Sequence, residues 1–285
     1  MTFDQPCIVT AALTGVLADR RQCPAIPYTP AEIGEEASRC WDQGATVVHI
    51  HARNDDGSPT FSPDTFVAIR EAVAARCPIV INFSTGNLEE DTTLQEEMIR
   101  RARPHVAALN MGSMNYAKYS PKRKDFVFDM IFPNPFSKIK RLLEAMNAAG
   151  VRPELECFDT GHTRSIEPLL DMGLLTGPLE FSFIIGVLGG LPPTVEALQL
   201  QAGLVPPGSH WQVIGIGREQ WRFIGAALVL GGNIRVGLED NFYLPDGAMA
   251  RSNGDLVARA VRLAHDVGRR PATLEETRAA LGVQA

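Results

Sequence analysis

Apolar residues fall along this chain in two alternating textures. Short runs are continuously apolar and rich in β-branched residues, at 7–13, 46–52, 78–84, 105–111, 153–159, 179–186, 210–217 and 233–239. Between most of them lie longer stretches whose apolar positions recur every three to four residues, at 29–45, 62–77, 135–150, 165–173, 194–203 and 218–232. The first texture predicts strands buried on both faces, the second amphipathic helices. Local signals agree: in 29–45, Thr29 suits an N-cap, Pro30 the first helical position and Gly44 the C-terminal stop.

Strands alternating with helices predict an α/β fold with a parallel sheet covered by helices. The eight runs favour a closed (β/α)8 TIM barrel over an open sheet. The length of 285 residues suits one such domain over 1–285, with no repeat or low-complexity stretch to divide it. The least regular part, 112–134, is expected to be a long loop with one extra short strand at 126–132. A C-terminal helical extension is expected over about 255–285.

Composition narrows the function classes. A net charge of −6 with no basic block beyond 120–125 argues against a general nucleic-acid surface. No stretch reaches the ~18 uninterrupted apolar residues of a membrane span. The five cysteines are odd in number and lack CxxC spacing, the pattern of reduced thiols in a cytoplasmic protein.

In a barrel, chemistry sits at the C-terminal ends of the strands. Two of the six histidines, His49 and His51, stand two residues apart at the end of the second run, so on a strand they share a face. Alone, the pair reads first as two buried, hydrogen-bonded histidines, and a third ligand is needed to change that. Glu239, at the end of the eighth run, would come close to them because strand eight closes beside strand one. Two imidazoles and a carboxylate with an open position make a catalytic zinc set, and nitrogen ligands without thiolates favour Zn²⁺ at a non-structural site. Arg235, of the same strand parity as Glu239, would point into the barrel and need a carboxylate from Asp240, Glu154 or Glu156. Glu154 and Glu156 repeat the alternate spacing on strand five, so at least one should hold an arginine or a ligand imidazole. Ser84, Thr85, Gly86 and Asn87 after strand three offer hydroxyls and backbone N–H groups suited to a carboxylate or phosphate. No G-x-S-x-G elbow surrounds Ser84, which speaks against a nucleophilic serine.

Taken in order, "TAALTG" (10–15), "HIHARNDDGSPT" (49–60), "NFSTG" (82–86), "LNMGSMN" (109–115), "PELECFDTGH" (153–162), "GIGREQ" (215–220) and "RVGLEDN" (235–241) resemble the β-keto acid cleavage enzymes. The resemblance implies a zinc-dependent barrel, usually a homotetramer. Its reaction would be a Claisen-type exchange of a β-keto acid with acetyl-CoA, giving acetoacetate and an acyl-CoA. It places the zinc ligands at His49, His51 and Glu239, the active-site arginine and aspartate at Arg235 and Asp240, and a glutamate at Glu154 or Glu156. The substrate carboxylate would fall at Ser84, Thr85, Gly86 and Asn87 with Asn110. Asp240, oriented by Arg235, is the expected base, with Glu156 or Glu154 as substitute. Family members that act on amino-substituted acids carry an acidic residue shortly after the first "TG". Here Val16 and Leu17 stand there, which disfavours a cationic substituent and suits an apolar one, or an anionic one with Arg20 and Arg21 near. The competing reading is another metal-dependent barrel aldolase, lyase or hydrolase.

Overall fold

In the computed structural model, which describes residues 5–284, eight parallel strands close into a barrel. They are β1 (Val9–Ala12), β2 (Val47–Ile50), β3 (Val80–Phe83), β4 (Val106–Asn110), β5 (Arg152–Cys157), β6 (Glu180–Ile185), β7 (His210–Gly215) and β8 (Asn233–Val236). Closure runs through Ile234 opposite Val9 and Arg235 opposite Thr10. The helices are α1 (Pro30–Asp42), α2 (Pro63–Ala74), α3 (Thr93–Ala102), α4 (Phe136–Ala149), α5 (Thr160–Arg164), α6 (Ile166–Asp171), α7 (Val195–Ala202), α8 (Gln220–Leu230), α9 (Asn253–Asp266) and α10 (Leu274–Leu281). At the start of α1, Thr29 and Glu32 form a reciprocal capping box with Pro30 at the first turn, as the local sequence predicts. Within the C-terminal stretch, α9 packs on α1 and α8 and completes the ring of helices. Beyond it, α10 and a short parallel strand pair, Gln5–Cys7 with Arg269–Pro271, sit at the N-terminal end of the barrel.

The alternation of strand side chains divides the core. Outward positions such as Val48, Ile50, Ile81, Phe83, Leu155 and Phe181 pack under the helices. Inside the barrel the lowest layer is apolar: Ile8, Val47, Val80 and Val106 meet Ala272 and Leu281. Above it the interior turns polar. Glu154 accepts hydrogen bonds from the Asn82 amide, the Ser182 hydroxyl and, at 2.7 Å, the Gln212 amide. Satisfied in this way, a carboxylate survives where a bare one would be prohibitively costly.

Within 112–134 the extra strand expected at 126–132 is present as Asp125–Phe132, while the stretch before it is a second strand instead of the expected loop. Met114–Ser120 and Asp125–Phe132 pair as an antiparallel hairpin with the basic residues Lys122, Arg123 and Lys124 at its turn. Its alternation was hard to read because the outer face keeps Phe126, Val127 and Ile131 exposed while the inner one carries Tyr116, Met130 and Phe132. With both faces apolar, the period of two that marks a half-buried strand is erased.

The hairpin is tied to the loop after β3 by one side chain. Lys138, buried on α4, donates to the carbonyls of Asn87 at 2.7 Å, Glu89 at 2.9 Å and Pro133 at 3.0 Å. Burial pushes its ammonium down to about 8, and the three carbonyls hold the charge in place. Lys138→Met is expected to remove about 1–3 kcal/mol of stability by stranding these acceptors, read as a lower urea midpoint at unchanged m value. A midpoint equal to the unsubstituted protein's would show that the clamp contributes nothing.

Candidate active site at the barrel mouth

His49 is the third residue of β2 and His51 lies one residue beyond its end. Thr14 fixes the latter: its hydroxyl donates to the His51 carbonyl and accepts from the His51 N–H, each at 2.8 Å. The rings approach to 5.3 Å between centroids. Both Nε2 atoms face one oxygen, Glu239 Oε1, at 3.6 Å from His49 and 3.4 Å from His51. The three side chains can therefore present ligand atoms within 4.8 Å of one another.

Glu239 reaches this place by a turn rather than by strand parity, which corrects the expectation that it shares a strand face with Arg235. β8 ends at Val236, and the N–H groups of Asp240 and Asn241 both donate to the Gly237 carbonyl. Gly237 has φ +151°, and a Cβ there would lie 2.0 Å from the Ala12 carbonyl oxygen; only glycine fits. Gly15, the glycine of "TAALTG", has φ +58° and leaves room for Glu239, whose Cγ would stand 2.8 Å from an added Cβ. The turn is pinned from outside by Asn253, whose side chain accepts from the Leu238 N–H at 2.9 Å. Sequence reading missed Asn253, since a lone asparagine at a helix start signals only a cap.

Arg235 organises the floor. Its Nε and Nη2 donate to the two oxygens of Asp240, each at 2.9 Å, and Nη2 also meets Glu239 at 2.5 Å. Nη1 has no hydrogen-bond partner among the described residues, and Glu156 stands 3.8 Å from it. Burial alone would raise the Glu239 carboxyl, but the Arg235 guanidinium together with His51 and His49 outweighs it and holds Glu239 well below the usual carboxylate range. For Asp240 burial prevails over the same guanidinium, so its carboxyl is pushed up. Glu156 is raised by burial and by Glu154 beside it. Burial, then Arg235, drives the His49 imidazole well below its ordinary value, so it is neutral and its nitrogens are free to act as ligands.

The donor set fits a metal. His49 Nδ1 and Nε2 and Glu239 Oε2 are buried with no hydrogen-bond partner among the described residues, an expense that a coordinated cation would offset. Glu154 lies 3.8 Å from His49 Nδ1, where it can orient the ring from below. Both strand-five glutamates therefore face inward, at different depths: Glu156 lines the cavity and Glu154 lies beneath it.

A cavity of about 250 Å³ opens above this floor. Ser84, Gly86, Asn87 and Asn110 line it as expected. Thr85 does not: its hydroxyl donates to the Ala108 carbonyl at 2.5 Å and holds the loop instead. Arg53 is buried and donates to the carbonyls of Gly15 and Thr14, bracing the loop after β1. Two other histidines are engaged with backbone: His105 Nδ1 accepts from the Ile81 N–H and His162 Nδ1 from the Phe158 N–H. The hairpin residues Tyr116, Met130 and Phe132 also line the cavity; none was expected at the site, and Tyr116 lies on the strand that sequence reading missed.

The sequence pattern of the family described as "beta-keto acid cleavage enzyme" matches residues 6–283. The chain is 36% identical over 278 residues to a 3-keto-5-aminohexanoate cleavage enzyme of Fusobacterium nucleatum, covering 97% of this chain and 98% of that one. It is 34% identical over 283 residues to a 3-oxoadipate:acetyl-CoA acetyltransferase of Cupriavidus necator, covering 98% and 95%. Among solved structures, apo ObcA shares the fold with a TM-score of 0.75 at 20% identity, over 92% of this chain; the chain spans 66% of ObcA's length.

Replacing Arg235 by methionine should leave Asp240 and Glu239 buried without their cation. The expected cost is about 3–5 kcal/mol, measured by denaturant unfolding of metal-free protein. A loss below about 1 kcal/mol would mean that water already compensates these carboxylates.

Proposed function

This chain belongs to the beta-keto acid cleavage enzyme family, and we infer that it exchanges the acyl part of a β-keto acid with acetyl-CoA at the barrel mouth. In the net reaction R–CO–CH2–COO⁻ and acetyl-CoA give acetoacetate and R–CO–CoA. The bond between C2 and the R-bearing carbonyl breaks, and one from C2 to the acetyl carbonyl forms. The CoA sulfur leaves acetyl and takes R–CO. The observation that carries the reading is the convergence of His49, His51 and Glu239 beside an arginine with one free N–H face and a carboxylate that it holds.

His49, His51 and Glu239 would hold a zinc ion, which supplies Lewis-acid polarisation of a ketone oxygen when bound. Arg235 lines the cavity, and its Nη1, buried without a hydrogen-bond partner among the described residues, would bind a substrate oxygen, while Ser84 and Asn110 offer a hydroxyl and an amide in the same lining. Asp240 takes the C2 proton: Arg235 fixes its orientation, and burial raises its basicity above that of a solvated aspartate. Glu156, raised further, is placed to carry a proton on the opposite side of Arg235. No protein nucleophile is required, because the C2 carbanion attacks the thioester and the CoA thiolate receives the acyl group. The open cavity leaves room for the thioester to approach from solvent.

The coarser setting belongs to the same proposal. The five cysteines are unpaired and buried, which suits a reducing, cytoplasmic location. No helix among the described residues is long and apolar enough to cross a membrane. A homotetramer would give the exposed Phe126, Val127 and Ile131 of the hairpin an apolar partner surface.

Two measurements test the reading. Metal analysis should find about one zinc per chain, lost in His49→Ala and Glu239→Gln; full retention in both would remove this ligand set. Asp240→Asn should keep its zinc and lose about 10²–10⁴-fold in kcat for acetoacetate formation. Release of free acid without CoA would point instead to a metal-dependent hydrolase.

A further inference from the structure

The cavity has two chemically distinct parts. Its acidic and basic side chains, His51, Glu156, Arg235, Glu239 and Asp240, belong to the floor already described. The rest of the lining includes an apolar wall of Met130, Phe132, Phe158, Ile184, Ile214 and Ile216, of which Ile184 and Ile214 are nearly fully buried and pack with Phe158 in one cluster. Val16, Leu17 and Leu88 complete the opening. We propose that the substrate of this chain is a β-keto acid with a short, uncharged, apolar tail, and that this wall selects it.

The proposal rests on the cleavage reading and specifies its substrate. The β-keto carboxylate head carries the charge and the carbonyl oxygens, and the floor together with Ser84, Asn87 and Asn110 offers partners for them. The tail R therefore leaves the floor toward the wall, where Ile214 is the cross-strand neighbour of both Arg235 and Ile184. A carboxylate or ammonium on the tail would lose water there and gain no counter-ion, which is far costlier than leaving it in solvent. The two arginines that follow Leu17 do not help an anionic tail: Arg20 is paired with Glu32 at 2.7 Å and lies over Tyr28, and Arg21 is paired with Asp19. Neither lines the cavity.

The rings of Tyr116, Phe132 and Phe158 pack edge-to-face on one another, at 5.9 Å between Tyr116 and Phe132 and 6.4 Å between Phe132 and Phe158, and make one continuous aromatic surface. The pantetheine arm of CoA is a poor occupant for the same surface, since its amides would meet no donor or acceptor beyond the Tyr116 hydroxyl. The volume limits the tail as well. About 250 Å³ lies below the ~300–1,000 Å³ of pockets that enclose drug-sized ligands, so a few carbons fill it.

The discriminating experiment compares tails of equal shape. The purified metal-loaded enzyme is given acetyl-CoA with 5-methyl-3-oxohexanoate against 5-amino-3-oxohexanoate, and with 6-methyl-3-oxoheptanoate against 3-oxoadipate, the acyl-CoA products being read by mass spectrometry. The uncharged acid of each pair should be favoured by at least about 100-fold in kcat/KM, and 3-oxohexanoate should exceed 3-oxopentanoate by about fourfold, as expected for one buried methylene. Met130→Glu should narrow the gap in the ammonium pair by at least tenfold without moving the KM for acetyl-CoA, and Phe132→Ala should erase the methylene increment. Calorimetric titration of the same acids reads the ranking without turnover. Binding of the uncharged acids with no acyl-CoA formed would remove the cleavage reading and uphold the tail preference. A charged acid within threefold of its uncharged partner in both kcat/KM and Kd would overturn the tail preference, and failure of every acid to bind would overturn both.

Discussion

The functional end of this molecule depends on one buried guanidinium. Arg235 sits inside a closed barrel with Asp240 held on two of its nitrogens and Glu239 on one of them. Remove the cation and two carboxylates, with Glu156 close by, would repel one another in a medium with little water to screen them. Keep it, and the same proximity becomes useful: Glu239 stays ionised toward the imidazoles, while burial raises Asp240 and Glu156. One charge thus sets three carboxylates to different proton affinities, the condition for giving a ligand and a base different tasks within a few ångströms.

The barrel supplies what that cluster needs. Below it, Glu154 is satisfied by Asn82, Ser182 and Gln212 and faces the inner nitrogen of His49. Lower still, the apolar layer under α10 seals the barrel. Above, the hairpin and the loop after β3 form the cavity walls, and Lys138 bonds both. Polarity therefore rises and falls along the barrel axis, from a dry plug through a hydrogen-bonded belt and a charged floor to an apolar wall. A ligand entering this axis is sorted by its own distribution of charge.

Much of this was legible in the residues. The strand runs, the capping signals of α1 and the His49–His51 spacing follow from periodicity and side-chain chemistry, which act over a few residues. Ser84, Asn110, Arg235, Glu239 and Asp240 line one cavity, as strand ends in a barrel that point to one rim require. What was misread shares a cause. Thr85 looks like a lining residue by type and position, yet it bonds to a carbonyl brought near from another strand. The first strand of the hairpin was missed because apolar residues on both faces of the hairpin erase the alternation. Asn253 is silent in sequence, since its partner Leu238 is a backbone group of a turn fifteen residues away.

By itself, the sequence determined the barrel class, the family motifs and the identity of the groups that can bind a metal or move a proton. Those properties reside in short-range periodicity and in the intrinsic chemistry of each side chain. Only the tertiary structure decided how they are used. The Gly237 turn, possible because Ala12 approaches where a Cβ would stand, brings Glu239 and Asp240 to one arginine despite their opposite parity. The depth of Glu154 against Glu156, and an apolar wall drawn from the hairpin and the ends of β6 and β7, were set the same way. Burial and distance between remote segments fix ionisation and desolvation, and neither quantity exists until the chain closes on itself.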